Sequence, residues 1–381
     1  MINALVPKPV IYREGTYQKA QISRLSKDKK VVSINDIYSQ QLVEIFEIEN
    51  PNLLGSAGYS AKLISFIEDK NTATSGDWIF LPWSGILVHA VNEADYFALR
   101  TNRNKNLISR REQRKLYHSK VLVAGMSVGN IIASTLAYAG IAQEIYIADY
   151  DVVSTANLNR LRGGIADIGK PKTSLAAQQV YDINPYARVH IFGAGLTLGD
   201  LQNKDLAKVD IIFDEIDDFA MKVQLRQFAK QNSIPLIMLT SLDDNVLVDI
   251  ERYDTQPTTK PFNGAIGKLA IETILAGTIS AQDKIKYAIE LVGQQYIPTQ
   301  ALASLPEIGK TLVGRPQLAN AIMLDGSLAT VCAKEILLGS NLKSGKYYVD
   351  MQALLGLQSA TSSNKTRQGI LNKIKEKING K

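Results

Sequence analysis

An α/β fold with a Rossmann-like nucleotide-binding core is the fold class this sequence predicts, and three observations near its middle carry that prediction. Val121-Leu122-Val123-Ala124 is continuously apolar, as expected of a parallel strand buried on both faces. Gly125-Met126-Ser127-Val128-Gly129 follows at once as a tight turn, and Ile131, Ile132, Leu136 and Ala137 then recur at helical spacing until Gly140. Glu144 to Ala148 is a second short strand, ending at Asp149-Tyr150-Asp151. Backbone amides where such a helix starts make a nest for a phosphate, so Gly125, Ser127 and Gly129 are candidate cofactor-binding residues. An acid about twenty residues past the turn stands where a ribose donates hydrogen bonds. The chain is therefore expected to bind a nucleotide.

The same five residues also spell G-x-S-x-G, the nucleophile elbow of serine hydrolases, in the correct strand–turn–helix context. That chemistry needs a histidine late in the chain, after the acid. The sequence has 3 histidines, His89, His118 and His190, and none lies in its second half. A hydrolase is set aside on that ground. An NAD(P)-dependent oxidoreductase is the stronger rival. Its fingerprint is G-x-G-x-x-G, and this loop supplies Gly125 and Gly129 with Ser127 between them.

The residues after the loop separate these readings. Asp149-Tyr150-Asp151-Val152-Val153, then Asn157-Leu158-Asn159-Arg160, then Gly169-Lys170-Pro171-Lys172 form a specific succession. Asn184-Pro185 precedes a further strand, and Asp210 to Phe219 reads DIIFDEIDDF. Upstream stands Arg100-Thr101-Asn102-Arg103. This order resembles the adenylating family of ThiF, MoeB and the ubiquitin-activating enzymes. Those proteins carry R-Y-x-R, acid-x-acid-x-V, S-N-L-x-R, G-x-x-K, I-N-P and V-x-D-x-x-D-N-F segments in the same sequence. The matches cover residues 100 to 250 and run more loosely to 340. Two departures stand out. The family loop G-x-G-G-x-G is one residue shorter here, and Asp218 replaces the family's Asn.

Adenylating a carboxylate sets an anion against an anionic α-phosphate, so cations must screen both and a metal must balance the leaving pyrophosphate. Arg160 and Lys172 are the candidates to hold the phosphates of ATP. Asp217 is the candidate Mg²⁺ ligand, because hard cations take carboxylate oxygens. Asp149, with Asp151, is expected at the ribose, and Asn157 at phosphate or ribose. By the resemblance, Arg103 reaches the site of a partner subunit as an arginine finger, which implies a homodimer. Each position has a plainer structural role open to it. Asp149 can cap a turn, Arg160 and Lys172 can be surface cations, and Asp217 or Asp218 can cap a helix over Ala220–Lys230. A non-catalytic nucleotide-binding scaffold is the third reading, prompted by the altered loop and Asp218.

Composition narrows the rest. With 381 residues and 45% hydrophobic content, the chain has room for one large domain and additions. No segment has the apolar length of a membrane span and the amino terminus lacks a signal-peptide core, so a cytoplasmic protein is expected. The single cysteine, Cys332, excludes an intrachain disulfide and the paired C-x-x-C zinc site of many ThiF relatives. It lies in a helix-like stretch, Asp325 to Leu338, and reads as a buried inert thiol rather than a thioester nucleophile. Six cations after Gly356 face only Glu376, which leaves +5 of the +6 net charge in the tail. The nearly neutral body gives no nucleic-acid footprint.

Three regions are expected. Residues 1–99 read as a small α+β module, with a helix over Ile34–Glu49, a hairpin from Asp77–Leu81 and Gly85–His89, and a short helix over Glu93–Leu99. In the antibiotic-peptide branch of the resembled family an added amino-terminal domain grips the substrate, so this module is a peptide grip or a dimer arm. Residues 100–340 are the ThiF/MoeB-type adenylation domain, and 341–381 a basic, partly helical tail. Asn245–Tyr253 alternates like an antiparallel strand, and 271–313 holds helices without an assignable role. The resemblance implies a peptide or small-protein carboxylate as substrate, and the missing thioester cysteine favours a peptide natural product tailoring step.

Overall fold

A computed structural model describes residues 8–70 and 74–378. Its contacts divide the chain into two units, Met1–Tyr117 with Gln178–Ala187, and His118–Ala177 with Arg188–Lys381. The division thus falls after Tyr117 rather than near residue 99, and Arg103 belongs to the first unit.

The first unit carries a four-stranded sheet of β1 (Val10–Tyr12), β2 (Ser33–Asp36), β3 (Asp77–Leu81) and β4 (Ile86–Ala90), in the order β1-β3-β4-β2. β3 and β4 form the expected antiparallel hairpin, with Leu81 opposite Ile86 and Gly85 in the left-handed region at φ +70°. The helix expected over Ile34–Glu49 is shorter, Tyr38–Glu49. Ser33–Asp36 instead pairs in parallel with β4 as an edge strand, all four residues exposed. The helical stripe of buried Tyr38, Leu42, Ile45 and Phe46 begins only after it, so the edge hydrogen bonds of β4 override the local pattern. The short helix is Glu93–Thr101, capped by Asn92, whose side chain accepts from the amides of Ala94 and Asp95.

The second unit is built on a seven-stranded sheet. Its strands are β5 (Lys120–Ala124), β6 (Glu144–Ala148), β7 (Arg188–Phe192), β8 (Ile211–Asp214), β9 (Leu236–Leu242), β10 (Asn245–Glu251) and β11 (Gly345–Val349). The order is β11-β10-β9-β8-β5-β6-β7, with β5 to β9 parallel and β10 and β11 antiparallel additions. The expected α/β class is therefore present. The chain winds one way from β5 through β6 to β7, then restarts on the other side with β8 and β9. In doubly wound sheets a ligand sits outside the carboxyl ends at such a switch point, here between β5 and β8.

Two helices lie against this sheet, Gly129–Tyr138 on β5 and Ala319–Leu338 on β9 and β10. Gly129–Tyr138 packs on Ala319–Leu338, and Gly326 permits the close approach: a Cβ there would stand 2.9 Å from Ile131 Cγ1. Thr135 Oγ1 donates to the Gly326 carbonyl at 3.0 Å. Cys332 is buried in the second helix, and burial pushes its thiol up to about 11. No described helix is long and apolar enough to cross a membrane.

Over its described part, 341–378, the carboxy-terminal stretch differs from the expected separate tail. Gly345–Val349 is the edge strand β11, paired with β10 from Val246↔Val349 to Ile250↔Gly345. The helix Lys365–Ile378 buries Leu371 and Ile374 in a cluster with Phe262, Leu291 and Ile297. Arg367 is buried and donates to the carbonyls of Ile297, at 2.7 Å, and Gln294, at 2.8 Å. The cations that dominate the composition of this stretch hide an i, i+3 apolar pair that docks it.

Candidate functional site

The crevice opens at the carboxyl end of β5. Gly125 turns the chain at φ +94°, and a Cβ there would stand 2.2 Å from the Glu215 carbonyl oxygen after β8. Gly129 is required for another reason: its Cβ would meet Val123 Cγ1 at 2.7 Å and Met126 Cε at 2.9 Å, where helix packs on strand. Three loop amides are satisfied internally, the first being Gly125 N, which donates to Ala148 O at 2.7 Å. Gly129 N donates to Gly125 O at 3.0 Å, and Met126 N donates to Asp149 Oδ2 at 2.6 Å. The amides of Ser127 and Val128 have no acceptor among the described residues, and Ser127 is half-buried at the rim. The phosphate nest thus narrows to two amides.

Asp149 does more than wait for a ribose. Its Oδ1 accepts from Asp151 N at 2.7 Å, so the carboxylate caps its own turn and steadies the glycine loop. Burial raises its pKa against the pull of these two amides and Lys172. A carboxylate has about four acceptor positions, so two remain for sugar hydroxyls.

The acid-x-acid and G-x-x-K segments meet because their backbones pair. Val153 N donates to Lys170 O and Gly169 N to Val153 O, both at 2.8 Å, and Lys172 N donates to Asp151 O at 2.9 Å. Lys172, 5% exposed, opens the helix Lys172–Ile183 and places its Nζ 2.7 Å from Asp151 Oδ2. Its charge is thereby neutralised within the protein. Asn157 is also engaged: its Oδ1 accepts from both the amide and the hydroxyl of Ser154, each at 3.0 Å. Its Nδ2 is what remains for a ligand.

Arg160 is aimed by two bonds from Nη1, to Ala156 O at 3.0 Å and to Asn159 Oδ1 at 2.9 Å. Its Nε is enclosed and has no partner. Burial and the like charge of Arg315 lower its pKa, while Asp217 opposes them. Arg160 and Asp217 therefore share one neighbourhood. The two adjacent acids divide their work. Asp218 Oδ1 accepts from Met221 N at 2.7 Å and caps the helix Phe219–Gln231, whereas Asp217 is exposed beside it.

Three further residues enter this region without having been singled out from sequence. Tyr150, 70% exposed, feels Asp151 first, then Asp149, Asp217 and Asp218, and these carboxylates raise its pKa. Its place between two acids was the available signal. Asp325, fully buried, accepts the Ser241 hydroxyl on Oδ2, has no partner on Oδ1, and is pushed up to about 7 by burial. Arg315 stands in the irregular stretch before Ala319–Leu338 and acts on both Arg160 and Asp325. Arg103, by contrast, is exposed on the 3-10 turn Asn102–Asn104 of the first unit.

Residues 100–264 match the ThiF family, and the chain carries a ThiF family domain. It is 34% identical over 278 residues to the uncharacterized protein MT1398 of Mycobacterium tuberculosis, covering 73% of this chain and 38% of that one. The chain thus spans little more than a third of that relative. The molybdopterin-synthase adenylyltransferase of Haemophilus influenzae is 26% identical over 238 residues, 61% of this chain and 90% of that one. Among solved structures, Escherichia coli MccB with ATP aligns with a TM-score of 0.43 at 16% identity, over 82% of this chain and 86% of that one.

Proposed function

We propose that this chain adenylates a carboxylate on a peptide or small protein with ATP, releasing pyrophosphate. One observation carries the reading: at the β5–β8 switch point an amide-bearing glycine loop, the acid Asp149 and the cation Arg160 with Asp217 converge. The match to a molybdopterin-synthase adenylyltransferase supports it. The Ser127 and Val128 amides receive the α-phosphate, and Asp149 the ribose. Lys172 sets Asp151 and, through it, the turn that carries Asp149. Arg160 offers its guanidinium, aimed by Ala156 O and Asn159 Oδ1, to the phosphates.

Mg²⁺ fits as a partner of the triphosphate rather than of a protein cage. Among the described residues no group of three metal-ligating side chains exists, and Asp218 is taken by its cap. Asp217 alone would hold the ion, which usually keeps waters and phosphate oxygens as its other ligands. When bound, the metal balances charge on the departing pyrophosphate. The acyl-adenylate passes to an external acceptor, because Cys332 is buried and its thiol is raised to about 11.

Substrate-dependent exchange of labelled pyrophosphate into ATP tests the reaction, and formation of ADP rather than AMP would sink it. Asp217→Ala is expected to slow exchange by about 10²-fold or more, the usual cost of removing one charge-stabilising group. The proposed assembly is a homodimer in which Arg103 serves the partner's site. Mixing inactive Arg103→Ala with inactive Asp217→Ala protein then restores roughly a quarter of full activity at random exchange. No recovery despite proven subunit exchange rejects a role in trans.

A further inference from the structure

We propose that Arg315 is a triphosphate-binding residue that grips the β- and γ-phosphates and then the leaving pyrophosphate. It lies outside every motif described above. Its placement rests on two contacts and its position in the chain. Asn159 Nδ2 donates to the Gln317 carbonyl at 2.9 Å, which ties the stretch before Ala319–Leu338 to the Asn157–Arg160 turn. The same Asn159 accepts from Arg160 Nη1 at 2.9 Å. Arg315 is two residues from that anchor and directly precedes Pro316, which disfavours helical backbone there, so its long side chain has a restricted origin.

Charge explains what such a residue is for. Arg160 and Arg315 are close enough that one lowers the pKa of the other, yet Arg160 Nε is enclosed without an acceptor. Two guanidinium groups side by side repel unless a polyanion joins them, and the planar fork of arginine suits phosphate oxygens in pairs. The site is otherwise short of cation. Lys172 is neutralised by Asp151 at 2.7 Å, and Arg160 is partly offset by Asp217. ATP brings about four negative charges, and within one subunit the partly offset Arg160 and one metal leave the distal phosphates under-compensated. A single arginine from the partner does not fully close that deficit, because Asp217 already draws on Arg160.

Asp325 lies within range of the Arg315 charge. This buried carboxyl has an unpaired Oδ1 and feels the Arg315 charge. Among the described residues no hydrogen bond or ion pair joins Arg315 to this carboxyl, so the guanidinium is not tied down at the helix and is available to a triphosphate. The α-phosphate belongs to the loop amides, so AMP does not engage Arg315.

This proposal rests on the ATP reading above, and calorimetric titration of the full chain separates the two. Unsubstituted protein, Arg315→Ala and Arg315→Lys are each titrated with ATP, AMP and inorganic pyrophosphate in the presence of Mg²⁺. Arg315→Ala is expected to weaken ATP and pyrophosphate about 10-fold or more and to leave AMP within about twofold. Arg315→Lys, which keeps the charge but not the fork, falls between. Equal affinity of Arg315→Ala and unsubstituted protein for ATP overturns the proposal while the nucleotide reading stands. So does an equal loss for ATP and AMP. If the unsubstituted chain binds no ATP, both readings fall together.

Discussion

Arg226→Ala is expected to lower the unfolding free energy by about 3–5 kcal/mol, the cost of stranding buried charges. Arg226 is fully buried on the helix Phe219–Gln231. Its Nη1 lies 2.5 Å from Asp214 Oδ2 and its Nε 2.7 Å from Glu251 Oε1, and its guanidinium sits 3.8 Å from the centre of the Phe262 ring. Both carboxylates are themselves fully buried. Alanine leaves Asp214 with Lys222 at 3.2 Å and Glu251 with the Tyr253 hydroxyl. The pH dependence follows in sign. Burial alone would raise the Asp214 pKa, but Lys222 and Arg226 hold it below its ordinary value. That contribution is present above the ordinary carboxylate range and is lost as pH falls through the depressed folded pKa. In the variant the carboxyls take up protons at higher pH, so the deficit shrinks in acid. Urea melts at pH 7 and pH 5 measure this, and a loss under about 1 kcal/mol at pH 7 would show that the network does not hold β8 to the helix.

Part of the site is readable from sequence because it is built from local signals, and part is not because it depends on distant contacts. β5, its loop and β6 are local: a doubly buried parallel strand announces itself as an unbroken apolar run, and the glycines follow from the turn. Asp218 as helix cap was likewise a short-range choice between neighbours. Ser33–Asp36 was lost because an edge strand borrows its stability from β4, not from its own pattern. A partly helical tail is legible, but not that its helix Lys365–Ile378 docks, because lysines dominate that stretch while Leu371 and Ile374 do the docking; β11 takes its pairing from β10. Asn157 and Lys172 stood in the expected order, but the order could not show that Ser154 and Asp151 already occupy them. Arg315 carries no periodicity or motif. Only the fold, by tying Gln317 to Asn159, brings it to Arg160.

Gly125→Ala is expected to abolish nucleotide binding while leaving the fold largely intact. The position needs φ +94°, where a Cβ costs an L-residue about 1–2 kcal/mol. Space is the larger problem. The new carbon would stand 2.2 Å from the Glu215 carbonyl oxygen and 2.4 Å from its carbon, both backbone atoms that no rotamer can move. Glu215 is itself held, with N donating to Ala124 O at 2.7 Å and Oε1 accepting from Leu239 N at 2.9 Å. The β8 side therefore resists, and the glycine loop is the part that shifts. That loop carries the Ser127 and Val128 amides and is fastened to Asp149 through Met126, so phosphate and ribose contacts move together. A displacement of about 1 Å at such a site is enough for roughly a 10²-fold loss of activity. Parallel titrations with ATP and AMP, beside a thermal melt, provide the check. Loss of both nucleotides with a modest fall in melting temperature is the expected pattern. Retention of AMP binding within about twofold would mean that the loop does not hold the α-phosphate, and the nucleotide would have to lie elsewhere in the crevice.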